Sequence, residues 1–375
     1  MLRIAGACRS TRAAAAVQSA AAVDDLARCL RGVTGSASHK GSGAWSEEEL
    51  QQISSSLQSA FDPSVGELLR KQGFAVADNA LPAHLVPKVR NEILGMHARS
   101  LMKPNSTHLV ERADDSSGGT KTTLLEKQGI AEADAELAEV RDASPLLSHL
   151  ALDATLRTML SLYTPPYRFD THTVKAQRSA GGGACFPVHF DSSAGLDGRI
   201  LTAIVYCNDS WQPGDGGELR LYPWPRGPVD IPPVAGRIVV FPSMTMPHRV
   251  LPSRAERVCF SVWMGKQQTP PPGPPSIPHR DDGWSSSPAL WRALLGQPAV
   301  KELVLKALLA EEWERSLVES HPPGPGLDRA VEKHRADVGR INVVLGWAID
   351  MLREAGGPAG GAGTAGGVWE AHRWL

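Results

Sequence analysis

The chain has 375 residues, 42% of them hydrophobic and 21% charged, with a formal net charge of -1. That length accommodates one large domain with appendages, or two smaller ones. A near-neutral balance argues against a nucleic-acid surface or an acidic-membrane partner, and no apolar run approaches the ~18 residues that cross a bilayer.

The first 45 residues carry Arg3, Arg9, Arg12, Arg28 and Arg31 among many Ala and Ser, with no acid before Asp24. This composition fits a mitochondrial or plastid transit peptide and equally a disordered leader, so the compartment stays open between cytoplasm and organelle. The five cysteines, Cys8, Cys29, Cys185, Cys207 and Cys259, are odd in number and lack CxxC spacing. They read as free thiols of a reducing compartment.

Ser46 followed by Glu47, Glu48 and Glu49 predicts a capped helix start, with the helix running to about Phe61. A short strand and turn follow over 72–82, then helical spacing to about Met102 through Val89, Ile93 and Met96. Residues 103–124 are polar and read as a loop. Helices are expected over 131–141 and 145–163.

From Tyr167 the period changes. Alternation over 169–177 predicts a first barrel strand. Short strands follow near 186–190, 200–207, 218–222, 229–231, 237–242, 248–251 and 256–265, separated by Gly- and Pro-rich turns. Eight such strands suit two facing sheets of a jelly-roll barrel. Beyond a Pro-rich stretch at 267–286, amphipathic helices are expected over 288–316 and 328–353, broken by 321–326. Their apolar stripes suggest packing or contact between copies. Gly and Ala dominate from 356.

Three residues of the barrel segment can grip one metal. His189 and Asp191 stand at i and i+2, which on a strand face the same way. His248 arrives from a later strand. Two imidazoles and one carboxylate on one face of an ion leave its other face open, which suits non-haem Fe(II) binding oxygen and a co-substrate together. Arg257 opens the alternating run Arg257-Val258-Cys259-Phe260-Ser261-Val262-Trp263. An inward Arg among apolar neighbours needs an anion, and a guanidinium clamps a carboxylate through paired hydrogen bonds. A dicarboxylic co-substrate follows, chelating the metal at one end and meeting Arg257 at the other.

The segment resembles the Fe(II)/2-oxoglutarate-dependent dioxygenases of the prolyl 4-hydroxylase family, and within it the hypoxia-factor-type (EGLN-like) prolyl hydroxylases. The resemblance is carried by His189-Phe190-Asp191, Asp197-Gly198-Arg199, Thr202 to Asn208, Trp211, Gly216 to Pro223, His248, Arg257 and Trp263. It implies that His189, Asp191 and His248 hold iron, and that Arg257 and Tyr206 hold the far carboxylate of 2-oxoglutarate. Ser261 falls where the family places a hydroxyl near the co-substrate. Arg199 and Trp263 fall toward the substrate side. A second co-substrate tyrosine common upstream of the HxD is missing, and Gln177 or a backbone group stands available there. The implied activity is hydroxylation of a C–H bond, most naturally a prolyl residue of a protein or peptide, using O2 and yielding succinate and CO2, with L-ascorbate as reductant for uncoupled turnovers. Another peptidyl or small-molecule substrate, or a non-catalytic metal-binding barrel, remains the alternative.

The expected architecture is therefore α+β with a mainly β core. A double-stranded β-helix (jelly-roll) barrel at 167–266 is braced by N-terminal helices and a substrate-loop region within 46–166. A helical extension occupies 287–355 and a Gly-rich tail 356–375.

Overall fold

The computed structural model describes residues 45–112, 120–193, 198–267, 276–277, 288–356 and 374. All belong to the unit Trp45–Leu375. The leader, Asp197, most of the Pro-rich stretch and nearly all of the Gly-rich tail lie outside the described residues.

Helix α1 (Glu47–Ser59) begins at the capping box. Ser46 Oγ accepts from Glu49 N at 3.1 Å, and Glu49 Oε2 accepts from Ser46 N at 2.8 Å. Helix α2 (Val65–Gln72) was not expected. Its eight residues are too few for a helical period to register. It ends at Gly73, whose φ of 86° is the left-handed conformation of a C-cap. Strand β1 (Ala75–Ala77) and helix α3 (Val86–Ala98) follow.

Residues 103–124 are not a loop. They form β2 (Lys103–Arg112) and the start of β3 (Thr120–Asp134), paired antiparallel. β2 lies at a sheet edge, and Leu109 is the buried apolar side chain described in it. With polar residues on both faces of β2 there is no alternation to read, and backbone pairing, joined by Asn105 of β2 bonding Glu132 and Lys127 of β3, makes the ribbon. β3 also overrides the helix expected from 131, leaving a short α4 (Ala138–Ala143). The stretch 145–163 is two helices, α5 (Pro145–Leu152) and α6 (Thr155–Tyr163). They separate at Asp153, whose carboxylate accepts from Thr155 N at 3.0 Å.

The eight barrel strands fall within two residues or so of their expected positions. They are β4 (Thr171–Ser179), β5 (Ala184–His189), β6 (Arg199–Tyr206), β7 (Leu219–Leu221), β8 (Val229–Ile231), β9 (Ile238–Pro242), β10 (His248–Ser253) and β11 (Arg257–Gly265). A seven-stranded sheet runs β1-β9-β6-β11-β4-β3-β2, and a four-stranded sheet runs β5-β10-β7-β8. The barrel strands thus divide four and four between two sheets, with β1, β2 and β3 widening the larger one.

Strand alternation sorts the side chains. Val258, Phe260, Val262 and Met264 of β11, with Leu201, Ala203 and Val205 of β6, join the core shared with α1 to α6. Each large side chain buried there contributes roughly 1.5–3 kcal/mol. The opposite face carries Ile204, Tyr206, Val239, Phe241 and Cys259, a separate cluster inside the barrel. The inward face of β11 is therefore Arg257, Cys259, Ser261 and Trp263.

The C-terminal stretch expected as one helix over 288–316 is three: α7 (Pro288–Leu295), α8 (Pro298–Leu308) and α9 (Ala310–Ser320). Pro298 starts α8 because it fits only the first turn of a helix. Helix α10 (Pro325–Gly356) then packs back on them around Leu290, Trp291, Val304, Leu345 and Ile349. Of the stripe expected on α10, Val344 faces solvent beside Val343. Among the described residues no helix is long and apolar enough to cross a membrane.

Candidate metal centre

β5 ends at His189, and Asp191 lies just past the strand end, where the chain turns. β10 begins at His248, directly opposite His189 across the ladder. Ligand atoms of His189, Asp191 and His248 all lie within 4.8 Å of one another. Asp191 Oδ1 is 3.6 Å from His189 Nε2 and 3.7 Å from His248 Nε2.

The other ring nitrogens decide which way the imidazoles face. His189 Nδ1 is 2.9 Å from Pro187 O, and His248 Nδ1 is 3.1 Å from Met246 O. Both carbonyls can only accept, so the protons sit on Nδ1 and the Nε2 lone pairs point at the common point. Burial, aided by His189, pushes His248 down to about 4, so its imidazole is neutral at neutral pH. Burial alone would raise the Asp191 carboxyl. The two histidines and a hydrogen bond from Thr202 outweigh it and hold the group well below the usual carboxylate range.

Two residues without an assigned role in the sequence complete the support. Thr202 Oγ1 donates to Asp191 Oδ2 at 2.7 Å and lies 2.8 Å from Ser243 Oγ. Asp191 N donates to Ser243 O at 3.0 Å. Thr202 shares the inward parity of Ile204 and Tyr206, a signal present in the sequence. Nothing in the sequence singles out Ser243.

Arg257 and Tyr206 also meet. The guanidinium lies over the phenol ring at 5.1 Å. Arg257 is 3% exposed, and its Nη1 donates to the weak acceptor Cys259 Sγ at 3.5 Å. Arg257 Nε and Tyr206 Oη are buried with no hydrogen-bond partner among the described residues. Burial pushes the Tyr206 phenol up to about 12, which keeps it a neutral donor. A buried cation with an unpartnered Nε and a weak sulfur acceptor, beside a buried hydroxyl without a partner among the described residues, makes a site that a carboxylate would complete. Gln177 lines the same face, with Oε1 3.7 Å from Cys259 Sγ.

Ser261 is buried on that face, across from Lys175 and Ile204. Arg199 lies 4.6 Å over the Trp263 ring, and its Nη1 donates to Asp191 O at 3.4 Å. Lys175 approaches the same indole at 5.6 Å. The residues present thus fit both groups implied by their chemistry: two imidazoles and a carboxylate for Fe(II), and a buried guanidinium with no acidic partner among the described residues for an anionic co-substrate.

The family model described as the 2OG-Fe(II) oxygenase superfamily matches residues 174–265. A hypoxia-inducible factor prolyl hydroxylase of Caenorhabditis elegans is 30% identical over 209 residues, covering 52% of this chain and 27% of the relative. Prolyl hydroxylase EGLN3 of Mus musculus is 38% identical over 86 residues, covering 22% of this chain and 36% of the relative. The chain therefore spans only about a quarter to a third of the length of these curated relatives. A solved structure from work on prolyl 4-hydroxylases of Phytophthora capsici superposes with a TM-score of 0.62 at 25% identity, covering 86% of this chain and 97% of that one.

Proposed function

From a chain whose residues 174–265 match the family model of the 2OG-Fe(II) oxygenase superfamily, we propose a dioxygenase that hydroxylates a prolyl residue in a protein or peptide. The observation that carries the reading is the Arg257 guanidinium, which has no acidic partner among the described residues and an unpartnered Nε, buried in the barrel that also brings His189, Asp191 and His248 together. A site needing only a metal has no use for that cation.

In this reading the three ligands hold iron on one side. Arg257 and Tyr206 hold the distal carboxylate of 2-oxoglutarate, with Ser261 and Gln177 lining its pocket. When bound, iron and 2-oxoglutarate supply the oxidising chemistry, with succinate and CO2 as co-products. The chain's own part is to orient the co-substrate and exclude bulk water. The apolar cluster of Ile204, Val239 and Phe241 serves the second task. Arg199 and Trp263 are assigned to the substrate side, and the β2–β3 ribbon to contact with the peptide. L-Ascorbate is assigned as the reductant that rescues uncoupled turnovers. Likeness to the prolyl hydroxylases above supports proline as the target.

The test is succinate formation from 2-oxoglutarate by the anaerobically iron-loaded protein, with and without proline-containing peptides. Stimulation by a peptide with a mass gain of one oxygen on proline is expected. Iron binding without any 2-oxoglutarate turnover would reject the oxygenase and leave a metal-binding barrel.

A further inference from the structure

Two of the three candidate ligands lie on or beside a strand that its own sheet holds poorly. β5 is the edge of the four-stranded sheet, with β10 its one neighbour there. The pairing slips twice, so His248↔His189, Val250↔Phe186 and Ser253↔Ala184 are its aligned positions. An irregular two-strand contact would let His189 and Asp191 drift relative to His248.

Helix α9 makes up the deficit from outside the barrel. Val188 N donates to Ser316 Oγ at 2.9 Å. Ser316 Oγ in turn donates to Trp313 O at 2.7 Å, which leaves it an acceptor toward the strand. Phe190, the residue between the two ligands, packs against Trp313 at 5.7 Å between ring centroids. Trp313 is backed by His334 of α10, stacked at 6.0 Å and 14°. The same helix holds β10. Arg249, next to His248 and 2% exposed, pairs with Glu312 at 3.1 Å and Glu319 at 2.5 Å. Helix α9 thus grips both ligand-bearing strands at the residues adjoining the ligands.

We propose that α9 is a positioning element of the metal centre, acting through Trp313 and Ser316 on β5 and through Glu312 and Glu319 on β10. The C-terminal helices are then part of the working site, although they lie beyond the matched residues 174–265. The inference rests on the metal reading above. The physical basis is that a ligand set binds tightly only when its geometry exists before the metal arrives, and outer groups that orient ligands are commonly worth 10–100-fold in affinity.

The test compares Ser316→Ala and Trp313→Leu with Leu345→Ala, all in the full chain. Leu345 is buried in the separate core of the C-terminal helices, so its truncation destabilises that layer without touching β5. Mn(II) affinity is read by EPR at a temperature where circular dichroism shows every variant folded. The expected result is at least a tenfold weakening for Trp313→Leu, a smaller weakening with broadened Mn(II) lines for Ser316→Ala, and an unchanged affinity for Leu345→Ala. Wild-type affinity in both α9 variants would overturn the proposal, as would an equal loss in Leu345→Ala. If the wild-type chain itself bound no Mn(II), the metal reading would fall first and take this inference with it.

Discussion

Thr202 donates its hydroxyl to Asp191 Oδ2 at 2.7 Å and thereby selects Oδ1 as the oxygen that faces both histidines. A carboxylate otherwise turns about its last bond and presents either oxygen. Thr202→Val keeps the shape of the side chain and removes the donor. Metal affinity should fall about 10–100-fold, in line with the loss of a ligand-orienting hydrogen bond. Titration calorimetry with Mn(II) checks it. Wild-type affinity would show that the carboxylate keeps its orientation without the Thr202 hydroxyl.

In the proposed reading Arg257 serves the co-substrate and not the metal, so its variants should separate the two. Hydrogen bonds to charged groups are worth about 1.5–3 kcal/mol each, so Arg257→Ala should raise the KM for 2-oxoglutarate by roughly 100-fold. Arg257→Lys keeps the charge but loses the planar fork, and should fall between the two. Mn(II) affinity should not change in either. A KM that stays put in Arg257→Ala would place the anion elsewhere.

Lys127 is a buried amine, 8% exposed, that donates to Asn105 Oδ1 at 2.5 Å and lies 5.3 Å over the Phe186 ring. Burial pushes it down to about 8 from 10.5. Between those values the unfolded chain keeps a proton that the folded chain has released. Stability must therefore rise with pH across about 8 to 10.5, and the penalty of the buried charge is full below 8. The whole swing is at most about 3 kcal/mol. Lys127→Met should be more stable than the wild type at pH 7, with the advantage shrinking toward pH 10. Parallel melting curves for the two proteins from pH 7 to 10 would refute it.

Gly198 passes so close to the end of β11 that a Cβ there would stand 1.9 Å from Lys266 O. Lys266 N donates to Gly198 O at 3.0 Å across the same crossing. Gly198→Ala must push the start of β6 outward and carry Arg199 off Trp263. A loss of about 1–3 kcal/mol is expected from this overpacking, read as a lower Tm in calorimetry. An unchanged Tm would mean the crossing yields freely.

The barrel strands were legible because their residues alternate between two different interiors. Val258, Phe260 and Val262 face the helices, while Arg257, Cys259 and Ser261 face inward, and that parity is written in the order of the side chains. His189, Asp191, His248 and Arg257 were legible for a related reason: these residue types at that spacing have few uses other than a metal and an anion. The β2–β3 ribbon was not legible, because an edge ribbon with polar residues on both faces leaves no period to read. Helix α2 was hidden by its brevity. The hold of Thr202 and Ser243 on Asp191, and of Trp313, Ser316 and Arg249 across β5, β10 and the last helices, joins positions from 11 to more than 120 residues apart. No local pattern records such pairs. The sequence by itself determined which groups could hold iron and a dicarboxylate, since donor chemistry belongs to single residues. Only the tertiary structure decided which oxygen, which ring nitrogen and which helix make them a site, because orientation arises from contacts between distant parts of the chain.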